Sequence, residues 1–377
     1  MIIKNASVFT EDYKFENRDI YIKDGVFVKD EAEADSSVVI DAEGCFAIPG
    51  LTDLHFHGCM GFDFCDGTPE AVQTIAKYQA SVGVTSIVPA TMTLDEEVLV
   101  GICKNGADYV SAGSADDEAD LCGINMEGPF VAESKKGAQN GAYIRKTDCG
   151  LFDRLNEASG HMIKLVAVAP ETEGAIDFIR DRHDQAVMSL AHTAADYDKA
   201  MEAFENGASH VTHLYNAMHP FTHRSPGPIG AAADAGAEVE LICDGVHIHP
   251  AVVRSTFKLF GDDKVILISD SMMATGLDDG DYSLGGQAVK VVGNKATLAN
   301  GTIAGSATNL LDCMRNAVRD MKVPLESAVK AAAVNPAKSV GIYDQYGSIS
   351  VGKKANVVLL KKEDLALEAV VLRGNKL

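Results

Sequence analysis

Apolar and polar positions alternate in short runs at both ends of the chain and gather into longer apolar runs between them. Near the start, Met1-Ile2-Ile3, Asp19-Ile20-Tyr21-Ile22, Gly25-Val26-Phe27-Val28 and Ser37-Val38-Val39-Ile40 have strand character, and Lys23-Asp24-Gly25 supplies a turn. Positions 347–360 and 367–372 return to the same style. The pattern predicts a small β-sandwich domain assembled from both termini, residues 1–48 and 345–377, with residues 49–344 inserted between them. The insert alternates strand-like with helical stretches. Eight candidate strands lie at 51–57, 84–89, 121–127, 163–169, 187–192, 209–213, 240–244 and 265–270. Such alternation favours a parallel sheet, and eight repeats favour an α/β fold of the closed (β/α)8 TIM-barrel type. An open doubly wound sheet is the alternative, but no GxGxxG follows the first strand, which argues against a dinucleotide fold.

Chemistry collects at the predicted strand ends. His55 and His57 close the first strand, Glu127 the third, His192 the fifth, His213 the sixth and Asp270 the eighth. In a barrel these ends open into one mouth, so six groups able to bind a metal or move a proton would meet there. His55 and His57 are spaced i, i+2, which puts both imidazoles on one face of a strand. Alone, an H-x-H pair is a weak signal, and each histidine also fits a buried, hydrogen-bonded role. Glu127 at a strand end without a metal or positive partner would be costly to bury.

Composition narrows the partners. The chain has 377 residues, 46% of them apolar, enough for a large core, and a net charge of −21 that argues against nucleic acid and anionic membranes. An anionic small substrate stays open, because a local arginine or a helix N-terminus can override the overall field. There is no long uncharged apolar run, and residues 1–10 read as a first strand rather than a leader. Eight cysteines without paired spacing read as reduced thiols of a cytoplasmic protein. Asp278-Asp279-Gly280-Asp281-Tyr282 lacks the full ligand pattern of a calcium loop, and residues 281–303 are expected to form a hairpin shielding the mouth.

The stretches Pro49-Gly50-Leu51-Thr52-Asp53-Leu54-His55-Phe56-His57-Gly58, Asn125-Met126-Glu127-Gly128-Pro129-Phe130, Lys135-Lys136-Gly137-Ala138, Leu190-Ala191-His192-Thr193, Thr212-His213-Leu214-Tyr215-Asn216-Ala217-Met218, Asp244-Gly245-Val246-His247, Ser269-Asp270-Ser271-Met272 and Gly301-Thr302-Ile303-Ala304-Gly305-Ser306 span nearly the whole chain. Together they resemble the amidohydrolase superfamily and, within it, the deacetylases of N-acetylated amino sugar phosphates. The resemblance implies a divalent metal, one or two ions, zinc or iron by ligand type. It implies Glu127, His192 and His213 as ligands, with His55 and His57 offering a second position. Asp270 is the expected general base and acid in cleaving acetate from N-acetylglucosamine 6-phosphate.

The resemblance also implies that Asn216 and the Ala217 amide contact the phosphate, that Arg224 pairs with it, and that His247 touches substrate. A homodimer with shared active sites is expected, the Arg224 loop reaching the neighbour. Two departures stand out. No lysine closes the fourth strand to bridge two metals, since Lys164 lies near its start, so Glu127 is the natural bridge. Many members have a histidine where this chain has Gln139, which donates a hydrogen bond but carries no charge. A second metal would compensate for that loss.

Overall fold

The computed structural model describes residues 1–35 and 37–377. Strands from both ends of the chain join one eight-stranded mixed sheet. Its seam is the antiparallel pairing of Cys45–Pro49 with Val357–Lys361, and Cys45–Pro49 also runs parallel to Ile2–Phe9. The Phe15–Lys23 and Val26–Val28 hairpin turns at Asp24 and Gly25, with φ of 49° and 78°. Two consecutive left-handed residues give the turn whose twist matches the strands, which is why an Asp-Gly pair sits there. Alternation along the strands divides the sheet's two faces. Val357, Leu359 and Val371 share a core with Ile20, Ile22 and Phe27, whereas Val358, Leu360 and Leu372 pack into the main core. The strands therefore form a single continuous sheet by pairing, and its distant parts enclose a common apolar interior.

The middle of the chain builds a curled parallel sheet. Leu51–Asp53, Val84–Ile87 and Asp120–Leu121 form a three-stranded part. Ile124–Met126, Ile163–Val168, Val187–Leu190, His210–Val211, Glu238–Ile242 and Val265–Ile268 form a six-stranded part. The third predicted strand is thus broken at Cys122-Gly123, its first half pairing with Val84–Ile87 and its second with Ile163–Val168. Gly123 permits the break: a Cβ there would lie 2.3 Å from Lys164 Cγ and 3.1 Å from the Met162 carbonyl oxygen.

The two parts meet at both edges. Ala90 bridges Asn125 at one. At the other, the Asp270 N–H donates to the His55 carbonyl at 2.9 Å, and the Ser269 hydroxyl donates to Asp53 at 2.5 Å. Successive residues on a strand face opposite sides. Val265 and Leu267 accordingly pack outward with the helices, while Ile266 and Ile268 join Leu54, Val88, Leu165 and Ile242 within the curl.

Helices cover the outside, and the sequence marks their starts. Thr68, Asp95, Asp148, Asp196 and Asn309 each cap a helix by accepting from a backbone N–H of its first turn. Over the mouth lies a four-stranded antiparallel sheet of Gly280–Leu284, Gln287–Val292, Lys295–Leu298 and Ile303–Ser306. This element is larger than the hairpin expected at 281–303. Its apolar face packs on Met92 and Met272.

Candidate active site

The predicted ligands sit where strands give way to loops, and several leave the sheet through an unusual backbone. His192, His213 and Asp270 have φ of 45°, 30° and 49°, a left-handed conformation uncommon for residues with a side chain. Each turns sharply from the strand direction as the chain leaves the sheet. His55, His57, Glu127, His192, His213 and Asp270 are all buried.

Glu127 is the hub. Its Oε1 lies 2.9 Å from His192 Nε2, 3.2 Å from His213 Nε2 and 3.6 Å from His55 Nε2. Its Oε2 lies 3.3 Å from His57 Nε2 and accepts from Gln139 Nε2 at 2.9 Å. Asp270 Oδ1 is 3.4 Å from His57 Nε2 and 3.8 Å from His55 Nε2. The ligand atoms fall into two groups that share Glu127, one with His55 and His57, the other with His192 and His213.

The partners behind the rings fix what faces inward. His192 Nδ1 is 2.8 Å from the Lys135 carbonyl, and His55 Nδ1 is 2.9 Å from Glu240 Oε2. Carbonyl and carboxylate oxygens only accept, so both Nδ1 atoms carry a proton, and Nε2 is the ring atom each histidine presents toward Glu127. His192 Nε2 and His213 Nε2 stand 3.2 Å apart, and His55 Nε2 is buried with no hydrogen-bond partner. Lone pairs and a carboxylate at such separations repel unless a cation lies among them. A tetrahedral ion with bonds of about 2.1 Å spaces its ligands by roughly 3.4 Å, close to these distances. The residues therefore fit a metal ion.

In the absence of an ion, protons take its place. Burial alone would lower the pKa of His57, but the carboxylates of Asp270 and Glu127 push it up to about 10. Burial alone would raise Glu127 and Asp270, yet the surrounding imidazoles hold Glu127 well below the usual carboxylate range and Asp270 below its ordinary value. The pocket is built to neutralise positive charge.

A cavity of about 380 Å³ opens above this cluster. His57, Glu127, Gln139, His192, His213, Asn216, Ala217, His247 and Asp270 all line it, together with Leu284, Thr302 and Ile303 from the covering sheet. His55 lies beneath, fully buried. Arg224 is not brought in: it is exposed on its loop and does not line the cavity. Both ends of the Gln139 amide are engaged by the protein, its Oε1 accepting the Thr93 N–H at 2.7 Å while its Nε2 holds Glu127. Asp244 accepts from the backbone of Val246 and His247 and lies 2.7 Å from His247 Nδ1.

Two contributors were not expected from sequence. The Lys135 carbonyl orients His192, and no side-chain pattern marks a carbonyl. Glu240 orients His55, and a signal for it existed: a carboxylate inside the run Val239-Glu240-Leu241-Ile242, where an unpaired charge would be costly.

Comparison with known proteins agrees with this geometry. The Amidohydrolase family model matches residues 46–376. The N-acetylglucosamine-6-phosphate deacetylase of Bacillus subtilis is 36% identical, covering 100% of this chain and 96% of that protein. The N-acetylgalactosamine-6-phosphate deacetylase of Escherichia coli O157:H7 is 34% identical, over 95% of this chain and 94% of that one. The structure of a mutant N-acetyl-D-glucosamine-6-phosphate deacetylase from Mycobacterium smegmatis, in complex with N-acetyl-D-glucosamine-6-phosphate, superposes with a TM-score of 0.92 at 31% identity, covering 100% of this chain and 98% of that one. The chain belongs to the amidohydrolase family of metal-dependent hydrolases and, within it, to the N-acetylglucosamine-6-phosphate deacetylases.

Proposed function

We propose that the chain hydrolyses the N-acetyl amide of N-acetylglucosamine 6-phosphate, giving glucosamine 6-phosphate and acetate. The observation that carries this reading is the convergence of Glu127, His192, His213 and Asp270 at one cavity in a chain of this family. Glu127, His192 and His213 would hold one divalent cation, and His55 and His57 with the shared Glu127 a second, zinc or iron by the donor set. Such a cation supplies Lewis acidity, which polarises an amide carbonyl and makes water a stronger acid at neutral pH.

The remaining work falls to side chains. Asp270, held ionised by the neighbouring imidazoles, accepts a proton from the water that adds to the carbonyl carbon. It then delivers that proton to the sugar nitrogen as the C–N bond breaks, so acid and base are one group. Asn216 and the Ala217 N–H bind the phosphate, His247 positions the sugar, and Gln139, at the cavity wall, acts through the Glu127 carboxylate it holds. Arg224 suits a phosphate through forked, charge-assisted hydrogen bonds. Its exposed position outside this chain's own cavity fits a homodimer in which each Arg224 completes the partner's site.

The same reading takes the curled sheet as a closed (β/α)8 barrel spanning residues 49–344. Residues 1–48 and 345–377 form a β-sandwich domain beside it. A cytoplasmic location suits its eight cysteines, all free. No helix among the described residues is long and apolar enough to cross a membrane.

Acetate release measured with N-acetylglucosamine, its 6-phosphate and N-acetylgalactosamine 6-phosphate, paired with metal analysis, tests the proposal. Strong dependence on the phosphate and stoichiometric metal are expected. Equal turnover with and without the phosphate would favour another amidohydrolase activity. The galactosamine arm decides the sugar epimer, which the Escherichia coli relative makes a real alternative.

A further inference from the structure

Glu240 does not line the cavity and has no part in the chemistry above, yet it is a fully buried carboxylate directly beneath the cluster. Its side chain is fully buried in an apolar strand. A carboxylate in that position must be paired to be tolerated. Its Oε2 accepts from His55 Nδ1 at 2.9 Å and from the His213 backbone N–H at 3.0 Å. Its Oε1 lies 3.8 Å from His210 Nε2, and neither of those two atoms has a hydrogen-bond partner. His210 is itself buried, with Nδ1 2.8 Å from the Ser189 hydroxyl.

Two consequences follow from one oxygen. It holds a proton on His55 Nδ1, so that Nε2, without a hydrogen-bond partner and aimed between Glu127 and Asp270, is the ring atom left to meet a cation. It also tethers the backbone of His213, a member of the other ligand group. A carboxylate behind an imidazole fixes the ring, raises its basicity and adds negative charge that favours a cation in front of it.

We propose that Glu240 is the positioning residue that makes the His55, His57 and Glu127 group a competent second cation position. The proposal rests on the reading that the cluster holds metal, and the experiment keeps the two apart. Metal-free wild-type and Glu240→Gln chains are titrated with Co2+, following bound metal by equilibrium dialysis and the visible absorption of the ion. The wild type should take up two equivalents. Glutamine keeps an acceptor oxygen for both hydrogen bonds but drops the charge. The variant should therefore hold its first equivalent within about threefold and lose roughly 10–100-fold in affinity for its second, with a matching loss of the second absorption change.

His55→Gln removes the ligand itself and should abolish the second equivalent. Adding Glu240→Gln to it should then change the remaining affinity by less than about threefold, because the group it acts through is gone. Glu240→Ala should lose the second equivalent outright, and if that chain fails to fold the glutamine variant decides alone.

Unchanged second-site affinity in Glu240→Gln overturns the proposal, and so does an equal loss at both sites. A wild type that binds one equivalent also overturns it while leaving the deacetylase reading intact. A wild type that binds none overturns the metal reading itself.

Discussion

Asp244 and His247 are joined across a tight turn, with 2.7 Å between Oδ2 and Nδ1, while Asp244 Oδ1 accepts the backbone N–H of Val246 and His247 at 2.9 Å each. Burial would lower the His247 pKa, but its bond to Asp244 and the charges of Asp244 and Asp270 raise it above the ordinary value. A histidine raised in the fold is stabilised as the cation. That contribution is complete below the unfolded value of 6.5 and is lost as pH climbs through the folded value. In the proposed contact a cationic His247 meets the anionic substrate, so KM for the sugar phosphate should rise on the alkaline side of that transition. Asp244→Asn should move both the KM break and the His247 NMR titration to lower pH, and an unmoved titration would refute the pairing.

Asp270→Asn keeps the shape of the side chain and removes the proton acceptor. We expect kcat to fall about 10²–10⁴-fold, the range for loss of a positioned base, while metal content stays at the wild-type value. A variant that lost metal in parallel would assign Asp270 to holding the ion rather than moving the proton.

Gln139→Ala strips the donor from Glu127 Oε2 and leaves the buried Thr93 N–H without its acceptor. The unpaired donor alone should cost about 1–3 kcal/mol of stability, readable from denaturant unfolding. Turnover should fall modestly. Complete loss would give Gln139 a part in the chemistry that the second metal does not replace.

Chelation should abolish acetate release, and adding back a divalent ion should restore it. The ligands must be unprotonated, and His57 without metal titrates near 10, so metal binding must expel protons. Affinity for the ion should accordingly weaken as pH is lowered, measurable by competition with a chromophoric chelator. Melting temperature should rise with free metal concentration, because the ion binds the native chain.

The broken third strand gives a test outside the site. Gly123→Ala would drive a Cβ against Lys164 Cγ and the Met162 carbonyl. Overpacking of that kind costs typically about 1–3 kcal/mol, so the melting temperature should drop while metal content per folded chain holds.

The parallel strands and their polar ends were legible because hydrophobic runs and the residues that stop them are local. His55, His57, Glu127, His192, His213 and Asp270 could be placed at one mouth without knowing a single distance. Glu240 escaped because its role depends on which side of a strand faces His55, some 185 positions away in the chain. The sequence marks a hairpin rather than the full covering sheet, whose last pairing, Lys295–Leu298 with Ile303–Ser306, is irregular with a register shift between its contacts. The residues expected to meet a phosphate divide similarly: Asn216 and Ala217 reach the cavity through the left-handed backbone at Tyr215 and Ala217, whereas Arg224 sits on an exposed loop beyond it.

The seam of the outer sheet constrains how the chain comes into being. Cys45–Pro49 meets its antiparallel neighbour roughly three hundred residues further along. A ribosome must add roughly three hundred residues after Cys45–Pro49 before that edge is sealed. Until then the nascent product carries an open strand beside apolar side chains, the form most prone to stick to its neighbours. A chain stopped before Val357–Lys361 would leave that edge open and withhold Val358 and Leu360 from the main core, and cells should clear it as misfolded.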